Sequence, residues 1–131
     1  MGRFYMGDIE GKFWFTVQSS NDAAFFGGKE TESEDEYEIH YFFDKEDMES
    51  IDKGLETCKV EILANCGVSI KALDAYFDSI DGYNDEMVSV ALAIKKDKVR
   101  PLLQWYARHI LGEKIKECVE SKGQCSFTAD L

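Results

Sequence analysis

The 131-residue sequence has one proline, four cysteines and no long uninterrupted apolar run. A membrane-spanning helix needs about 20 consecutive, mostly apolar residues, and no stretch of the sequence approaches that length. Near the N-terminus, Asp8 and Glu10 interrupt the apolar run that a secretory signal would require. We therefore expect a cytoplasmic protein without a membrane partner.

The four cysteines are too few for a disulfide framework in a chain of this length. Cys58 and Cys66 have the spacing C-x7-C, and Cys118 and Cys125 have the spacing C-x6-C. A structural zinc site usually begins with a tighter pair such as C-x2-C. The spacing favours four reduced, mostly buried thiols, no metal ligands and no cofactor.

Two further ligand motifs are missing. Gly27-Gly28-Lys29 lacks the remaining residues of a phosphate-binding loop. The acid-rich segment 77–88 carries Phe77 and Val88 where a calcium-binding EF-hand loop needs carboxylates. The sequence therefore predicts neither a nucleotide site nor an EF-hand.

No catalytic residues are predicted. His109 and Cys118 lie on one predicted helix, but nine residues of helix separate them by about 13 Å, too far for proton transfer. A pair formed by Cys58 or Cys125 with a histidine remains open. The alternative to a binding module is thus a small enzyme or ligand-binding domain with a pocket between sheet and helices, near Trp14, His109 and the cysteines.

Basic residues are scarce in most of the chain. The formal net charge is −11, and residues 1–94 carry 7 Lys/Arg against 21 Asp/Glu. Residues 95–122 reverse the balance, with 8 Lys/Arg against 4 Asp/Glu. Most of the surface would repel phosphates, so direct nucleic-acid binding is not expected. The outline of a helix-turn-helix over 85–121 does not change this, because any two consecutive helices share it.

The apolar residues of 99–119 recur at steps of three and four, which predicts an amphipathic helix around which the chain is organised. Pro101 lies near its start, where the missing N–H costs least. Gly112 is a weak point in its interior, where we expect a bend. The predicted core stripe comprises Val99, Leu103, Tyr106, Ile110, Leu111, Ile115, Cys118 and Val119.

The remaining elements predict a single α+β domain over residues 1–131. Residues 3–18 predict a β-hairpin, 29–36 a polar surface loop, 37–43 a central strand and 124–130 a C-terminal strand. Alternation places one set of residues of the last two strands on the inner face: Tyr37, Ile39, Tyr41 and Phe43, then Cys125, Phe127 and Ala129.

Helices are expected over 45–64, from 69 to 80 and from 84 to 94. Their end signals are an Asp44–Asp47 capping box, Ser69 and Asn84 at the next two starts, and Gly123 after the long helix. The expected fold is a small, mostly antiparallel sheet covered by three to four helices. The core face of the hairpin is expected to carry Phe4, Met6, Phe13, Phe15 and Val17.

The densest acidic stretch of the chain, 30–49, suggests a function. We expect a non-enzymatic protein-interaction module that recognises a basic protein by charge. It would act as an inhibitor or decoy of a nucleic-acid-handling partner, as phage or mobile-element proteins do. Homo-oligomerisation stays open. The candidate contact residues are Glu32, Glu34, Asp35 and Glu36, with a second, helical group of Trp105, Arg108 and His109, expected on a face away from the core.

Overall fold

The computed structural model describes residues 3–15, 18–32 and 38–130, without the side chains of Thr31 and Glu32. These residues form an α+β fold, as predicted. The strands are β1 (Phe4–Gly7), β2 (Gly11–Lys12), β3 (Lys29–Glu32), β4 (Glu38–Asp44) and β5 (Gln124–Asp130). The α-helices are α1 (Met48–Cys66), α2 (Ile70–Asp78), α3 (Asp85–Leu92) and α4 (Lys96–Lys122), and short 3₁₀ helices span Asp22–Phe26 and Lys45–Asp47. Among the described helices, none has the length and apolar character to cross a membrane.

The sheet is antiparallel, with the strand order β2-β1-β5-β4-β3. The C-terminal strand β5 therefore lies in the middle, a place that we had assigned to the strand 37–43. β4 pairs with β5 along its whole length, from Glu38 opposite Asp130 to Asp44 opposite Gln124. The predicted alternation of both strands is confirmed: the buried side chains are Tyr41, Phe43, Cys125, Phe127 and Ala129. Tyr37 lies outside the described residues.

The N-terminal hairpin is present, but its predicted core face is wrong. Tyr5 pairs with Ala129 of β5 and is 1% exposed, whereas Phe4 and Met6 are 46% and 63% exposed. Side chains alternate along a strand, so the pairing with β5 places Tyr5 inward and its neighbours outward. β2 ends at Lys12, and the chain then leaves the sheet.

Beyond β2 the predicted strand is replaced by irregular backbone. Phe13 is buried, as expected, but Phe15 has a left-handed φ of 60° and is only half-buried. Its ring packs against those of Phe77, Tyr83 and Tyr106 rather than against the sheet. Val17 lies outside the described residues.

The prediction of a surface loop over 29–36 is wrong for its first half. Lys29–Glu32 forms the edge strand β3, whose residues pair with 39–42 of β4. Polar and acidic residues have low strand propensity, but pairing with an existing strand overrides a weak local preference.

The helix ends follow their predicted caps. Asp44 and Asp47 form the expected capping box, and the side chains of Ser69 and Asn84 cap α2 and α3. The left-handed Gly123 ends α4. Each capping residue acts through one or two hydrogen bonds to backbone groups a few positions away. Caps can therefore be predicted from the local sequence.

The other elements pack around α4, as the periodicity of its apolar residues predicted. Near its C-terminal end, Leu111 and Ile115 pack with α1 and the inner face of the sheet. Nearer its N-terminus, Leu102 joins a cluster with Leu73 of α2, and Leu103 joins one with Val88 of α3. One helix therefore connects three core clusters.

Gly112 is a site of close contact in a helix that continues unbroken through it. A Cβ at this position would lie 2.4 Å from Cζ of Phe26 and 2.8 Å from Cδ2 of Leu55. The residue thus lets the Phe26 ring lie directly on the helix backbone.

Replacing Gly112 with alanine is expected to lower the free energy of unfolding by about 1–2 kcal/mol. Overpacking costs about 1–3 kcal/mol, of which the better helix propensity of alanine recovers about 0.5–1 kcal/mol. Urea denaturation measures the difference. Gly82→Ala is the matched control, because a Cβ there meets no atom within 4 Å. Equal stability of both variants would contradict the close packing at Gly112.

Candidate interaction surface

The acidic edge, which we define as β3 together with the acid-rich residues that follow β4, lies at one end of the sheet. In the described part of the chain, β3 pairs with β4 on one side and with no strand on the other. Glu30 lies opposite Tyr41, and Glu32 lies opposite Ile39. An edge to which no described strand pairs is the kind of surface to which a strand of another chain can add.

The charge of this edge is negative. Its lysine, Lys29, forms an ion pair with Asp44, with 2.9 Å between Nζ and Oδ2. The hydrogen bond from Lys29 lowers the pKa of Asp44. Burial together with the negative charge of Glu30 raises the pKa of Tyr41 to about 12. Acidic residues continue beyond β4 at Glu46, Asp47 and Glu49.

Of the predicted acidic contact residues, the structure places only Glu32, on β3. Glu34, Asp35 and Glu36 lie outside the described residues. The sequence located the charge correctly but missed the strand that presents it. The signal for that strand is weak, because its four residues are Lys, Glu, Thr and Glu.

Trp105 and Arg108 do come together, but they form part of the packing. The Arg108 guanidinium carbon lies 4.6 Å from the Trp105 ring centroid and 4.7 Å from that of Phe25. Arg108 Nε is 3.2 Å from Oδ1 of Asp22, a carboxylate that is only 3% exposed. Burial raises the pKa of Asp22, and Arg108 partly opposes this. The prediction that Trp105 and Arg108 lie on an exposed face of α4 is therefore wrong, because both side chains are half-buried.

His109 was expected on the same outward face and is instead 3% exposed. α4 is covered over a wider arc than its apolar stripe indicates, because neighbouring elements contact it on several sides. His109 Nε2 lies 3.4 Å from Oε1 of Glu113 and makes no hydrogen bond to the described residues. It lines a surface groove of about 240 Å³ with Asp74, Glu113 and Lys114. Its proposed contact role receives no support from this position.

Burial lowers the pKa of His109 below its ordinary value, although Glu113 opposes the shift. As the pH falls below about 6.5, the unfolded chain takes up a proton at His109 before the folded chain does. The contribution of His109 to stability is thus complete above that pH and is lost as the pH falls through the folded-state pKa.

We therefore expect His109→Gln to be less sensitive to acid than the parent. The measurement is the urea midpoint of both proteins between about pH 5 and pH 8, where the histidine titrates. Midpoints that fall equally with pH in parent and variant would assign the pH dependence to other groups.

The cysteines are mostly buried, as predicted. Cys58, Cys118 and Cys125 are buried and Cys66 is half-buried. Burial raises the pKa of Cys58 to about 12, and burial with the neighbouring Cys118 raises that of Cys125. A raised pKa disfavours the thiolate, which is the nucleophilic form of cysteine. We expect a thiol titration of the denatured, unreduced protein to return four thiols, and recovery of two would demonstrate a disulfide.

The alternative prediction is a pocket between sheet and helices near Trp14, His109 and the cysteines. Two of the grooves along the C-terminal half of α4 are open and lined mainly by charged side chains, and they share Lys114 and Glu117. Lys114 Nζ lies 5.9 Å from the Trp14 ring centroid, while Trp14 itself packs against the main core. Both grooves open at the surface; the first lies between the β1–β2 turn and α4 and includes Cys118, and the second includes His109.

The fold and these surfaces define a small acidic α+β protein with an open, charged sheet edge. Comparison with protein-family models, with curated proteins and with solved structures finds no match for this chain.

Proposed function

We propose that this chain is a non-enzymatic protein-interaction module that binds an extended basic segment of a partner protein along the outer edge of β3. The observation that carries the proposal is an unpaired strand edge, within the described residues, that has negative charge. Strand addition supplies backbone hydrogen bonds, and side chains at alternate positions supply specificity. Lysine or arginine at such positions would meet Glu30 and the acids that follow β4.

The charge on β3 also favours a different partner over a second copy of the chain. Two copies that pair antiparallel through β3 with Thr31 opposite Thr31 place Glu30 of each strand opposite Glu32 of the other, and like charges across a strand pair are destabilising. In any register, the net charge of −11 on each copy opposes their approach. Lys29 does not relieve this repulsion, because it is paired with Asp44.

Proteins that bind nucleic acid have the required chemistry, since they present lysine and arginine to phosphates. We therefore propose that the partner is a nucleic-acid-handling protein and that this chain acts as an inhibitor or decoy at its basic surface. The net charge of −11 supports this role through faster association with a basic surface.

The test uses a synthetic ten-residue peptide of alternating lysine and valine, titrated into isotope-labelled full-length protein at low salt and followed by NMR. We expect the largest backbone amide shifts within Lys29–Glu32 and a Kd that rises several-fold as added salt screens the charges. Replacing Glu30 and Glu32 with glutamine should weaken binding several-fold without changing the melting temperature.

The matched control replaces the same number of charges elsewhere, with Glu56→Gln and Asp81→Asn at two exposed positions. We expect it to bind the peptide as the parent does. Amide shifts spread over the whole acidic surface, or equal weakening in the control, would reduce the effect to non-specific attraction and contradict the proposal.

A ligand-binding or enzymatic function is the second candidate, and the position of His109 favours it. A buried imidazole beside Glu113 and a groove has the parts of a general base with an orienting carboxylate. The test is an NMR screen of small polar molecules that monitors the His109 imidazole, with His109→Gln as the control for binding at this groove.

A further inference from the structure

The turn between α4 and β5 brings two cysteines together. Cys118 lies in the last turns of α4, Cys125 is the second residue of β5, and the left-handed Gly123 reverses the chain between them. The sequence spacing C-x6-C gave no indication of this proximity. It arises because β5 folds back along the end of the helix.

A carboxylate from a distant part of the chain joins the two thiols. Asp8 follows β1 and is attached to β5 by two backbone-directed hydrogen bonds. Its own N–H donates to the carbonyl of Ser126, and its Oδ2 accepts from the N–H of Ser126, each at 2.9 Å. Among the described residues, the Sγ atoms of Cys118 and Cys125 and a carboxylate oxygen of Asp8 all lie within 4.8 Å of one another.

The geometry points to a binding site for a thiophilic divalent cation, with zinc the best match, formed by Cys118, Cys125 and Asp8. Zinc takes four ligands in a tetrahedron, with Zn–S near 2.3 Å, which places two thiolate sulfurs about 3.8 Å apart. A separation of at most 4.8 Å therefore needs about 1 Å of closure at most, which side-chain rotation can provide. The two-sulfur, one-oxygen donor set suits zinc better than magnesium or calcium, which prefer oxygen alone.

The surroundings allow entry and a fourth ligand. Cys118 and Asp8 line a groove of about 320 Å³ that also includes Glu10 and Glu117. A water molecule that enters through this groove would complete the coordination. On binding, the two S–H bonds break, two Zn–S bonds form, and two protons pass to the solvent.

The ammonium group of Lys122 would repel a bound cation. Its Nζ lies 3.4 Å from Oδ1 of Asp8, and its side chain is 57% exposed. A bound cation must therefore displace an ammonium group that is free to move into solvent. Removing this lysine should strengthen binding, and the thiolate ligands distinguish the site from adventitious binding at the Asp8 carboxylate alone.

The test titrates Co²⁺, as a spectroscopic substitute for zinc, into the reduced full-length protein. We expect one equivalent to produce a thiolate-to-cobalt charge-transfer band with tetrahedral visible bands, and Zn²⁺ to abolish both. Cys118→Ser, Cys125→Ser and Asp8→Asn should each weaken binding at least about tenfold. Lys122→Ala should tighten it several-fold, and Cys66→Ser should leave it unchanged.

Because Cys118 and Cys125 are buried, circular dichroism must first show that their variants are folded. Asp8→Asn and Lys122→Ala change exposed side chains and keep the test decisive if the cysteine variants unfold. No thiolate band in the parent, unchanged binding in Asp8→Asn, or no tightening in Lys122→Ala would overturn the assigned site. Oxidation of the two thiols to a disulfide with no cation bound by the reduced form would likewise overturn it.

Discussion

Replacing Phe26 with alanine is expected to lower the free energy of unfolding by about 3–5 kcal/mol, the range for truncating a buried phenylalanine. The Phe26 side chain is fully buried and lies against two helix backbones at once. A Cβ on Gly54 of α1 would lie 2.6 Å from its ring, and one on Gly112 of α4 would lie 2.4 Å from it. Neither helix can close easily on the empty space, so we expect a cavity.

Urea denaturation followed by circular dichroism measures the change in the free energy of unfolding. The comparison requires that the slope of this free energy against urea concentration is the same in the parent and the variant. Phe25→Ala is the matched control, because Phe25 neighbours Phe26 on the same 3₁₀ helix but is 38% exposed. We expect the control to lose clearly less stability. If Phe26→Ala is within about 1 kcal/mol of the parent, the contact between the 3₁₀ helix and α4 is wrong.

The same contact predicts that Phe26 and Gly112 are coupled. Phe26→Leu should reduce the destabilisation caused by Gly112→Ala, because the smaller side chain leaves room for the new methyl group. Residues in contact give double-mutant coupling energies of about 0.5–3 kcal/mol. Strictly additive effects would show that the two residues do not touch.

Replacing Arg108 with leucine is the second change with a large expected effect, about 2–4 kcal/mol at pH 7. Removing one partner of a buried ion pair leaves the other charge uncompensated and costs about 3–5 kcal/mol. The Arg108 side chain is 25% exposed, so water replaces part of the lost interaction and the lower range applies. The stacking of the guanidinium on Trp105 and Phe25 is lost as well.

This effect should depend on pH in a defined direction. The folded-state pKa of Asp22 is already raised by burial, and loss of Arg108 raises it further. A folded carboxyl with a raised pKa binds more protons than the unfolded one, so stability falls as the pH rises through the folded-state pKa. We therefore expect the Arg108→Leu penalty to be larger at about pH 8 than at about pH 5.

The control adds Asp22→Asn to Arg108→Leu, which removes the charge that needs a partner. The double variant should recover part of the lost stability and lose the additional pH dependence. A penalty for Arg108→Leu that is the same at both pH values would mean that Asp22 stays solvated, contrary to its 3% exposure.

The helices could be predicted from sequence because their signals are local. Ser69 and Asn84 cap the helices whose starts they predict, and Gly123 ends α4, each by contacts within a few residues. The apolar stripe of α4 likewise needs only the 3.6-residue period. The alternation of apolar and polar side chains along β4 and β5 could also be predicted from neighbouring residues, because one face of each strand is buried.

The candidate interaction surface was predicted only in part. Its negative charge is a matter of composition and was visible in the sequence. β3 was missed because its strand character comes from pairing with β4. The predicted exposure of Arg108 and His109 was wrong for a related reason. Their burial depends on which elements cover α4 in the folded structure, and the pattern of residues along the helix does not show this.

By itself, the sequence determined the α+β class, the positions of the helices to within about three residues at each end, the central role of α4 and the acidity of residues 30–49. All of these depend on composition or on contacts close along the chain. Only the tertiary structure decided which face of β1 is buried, that β5 is the middle strand, and that Asp8 lies beside Cys118 and Cys125. These features join residues 80 or more positions apart in the chain, the nearest such pair being Asp44 and Gln124. No local pattern encodes such a pairing, because it depends on the combined packing of all the elements.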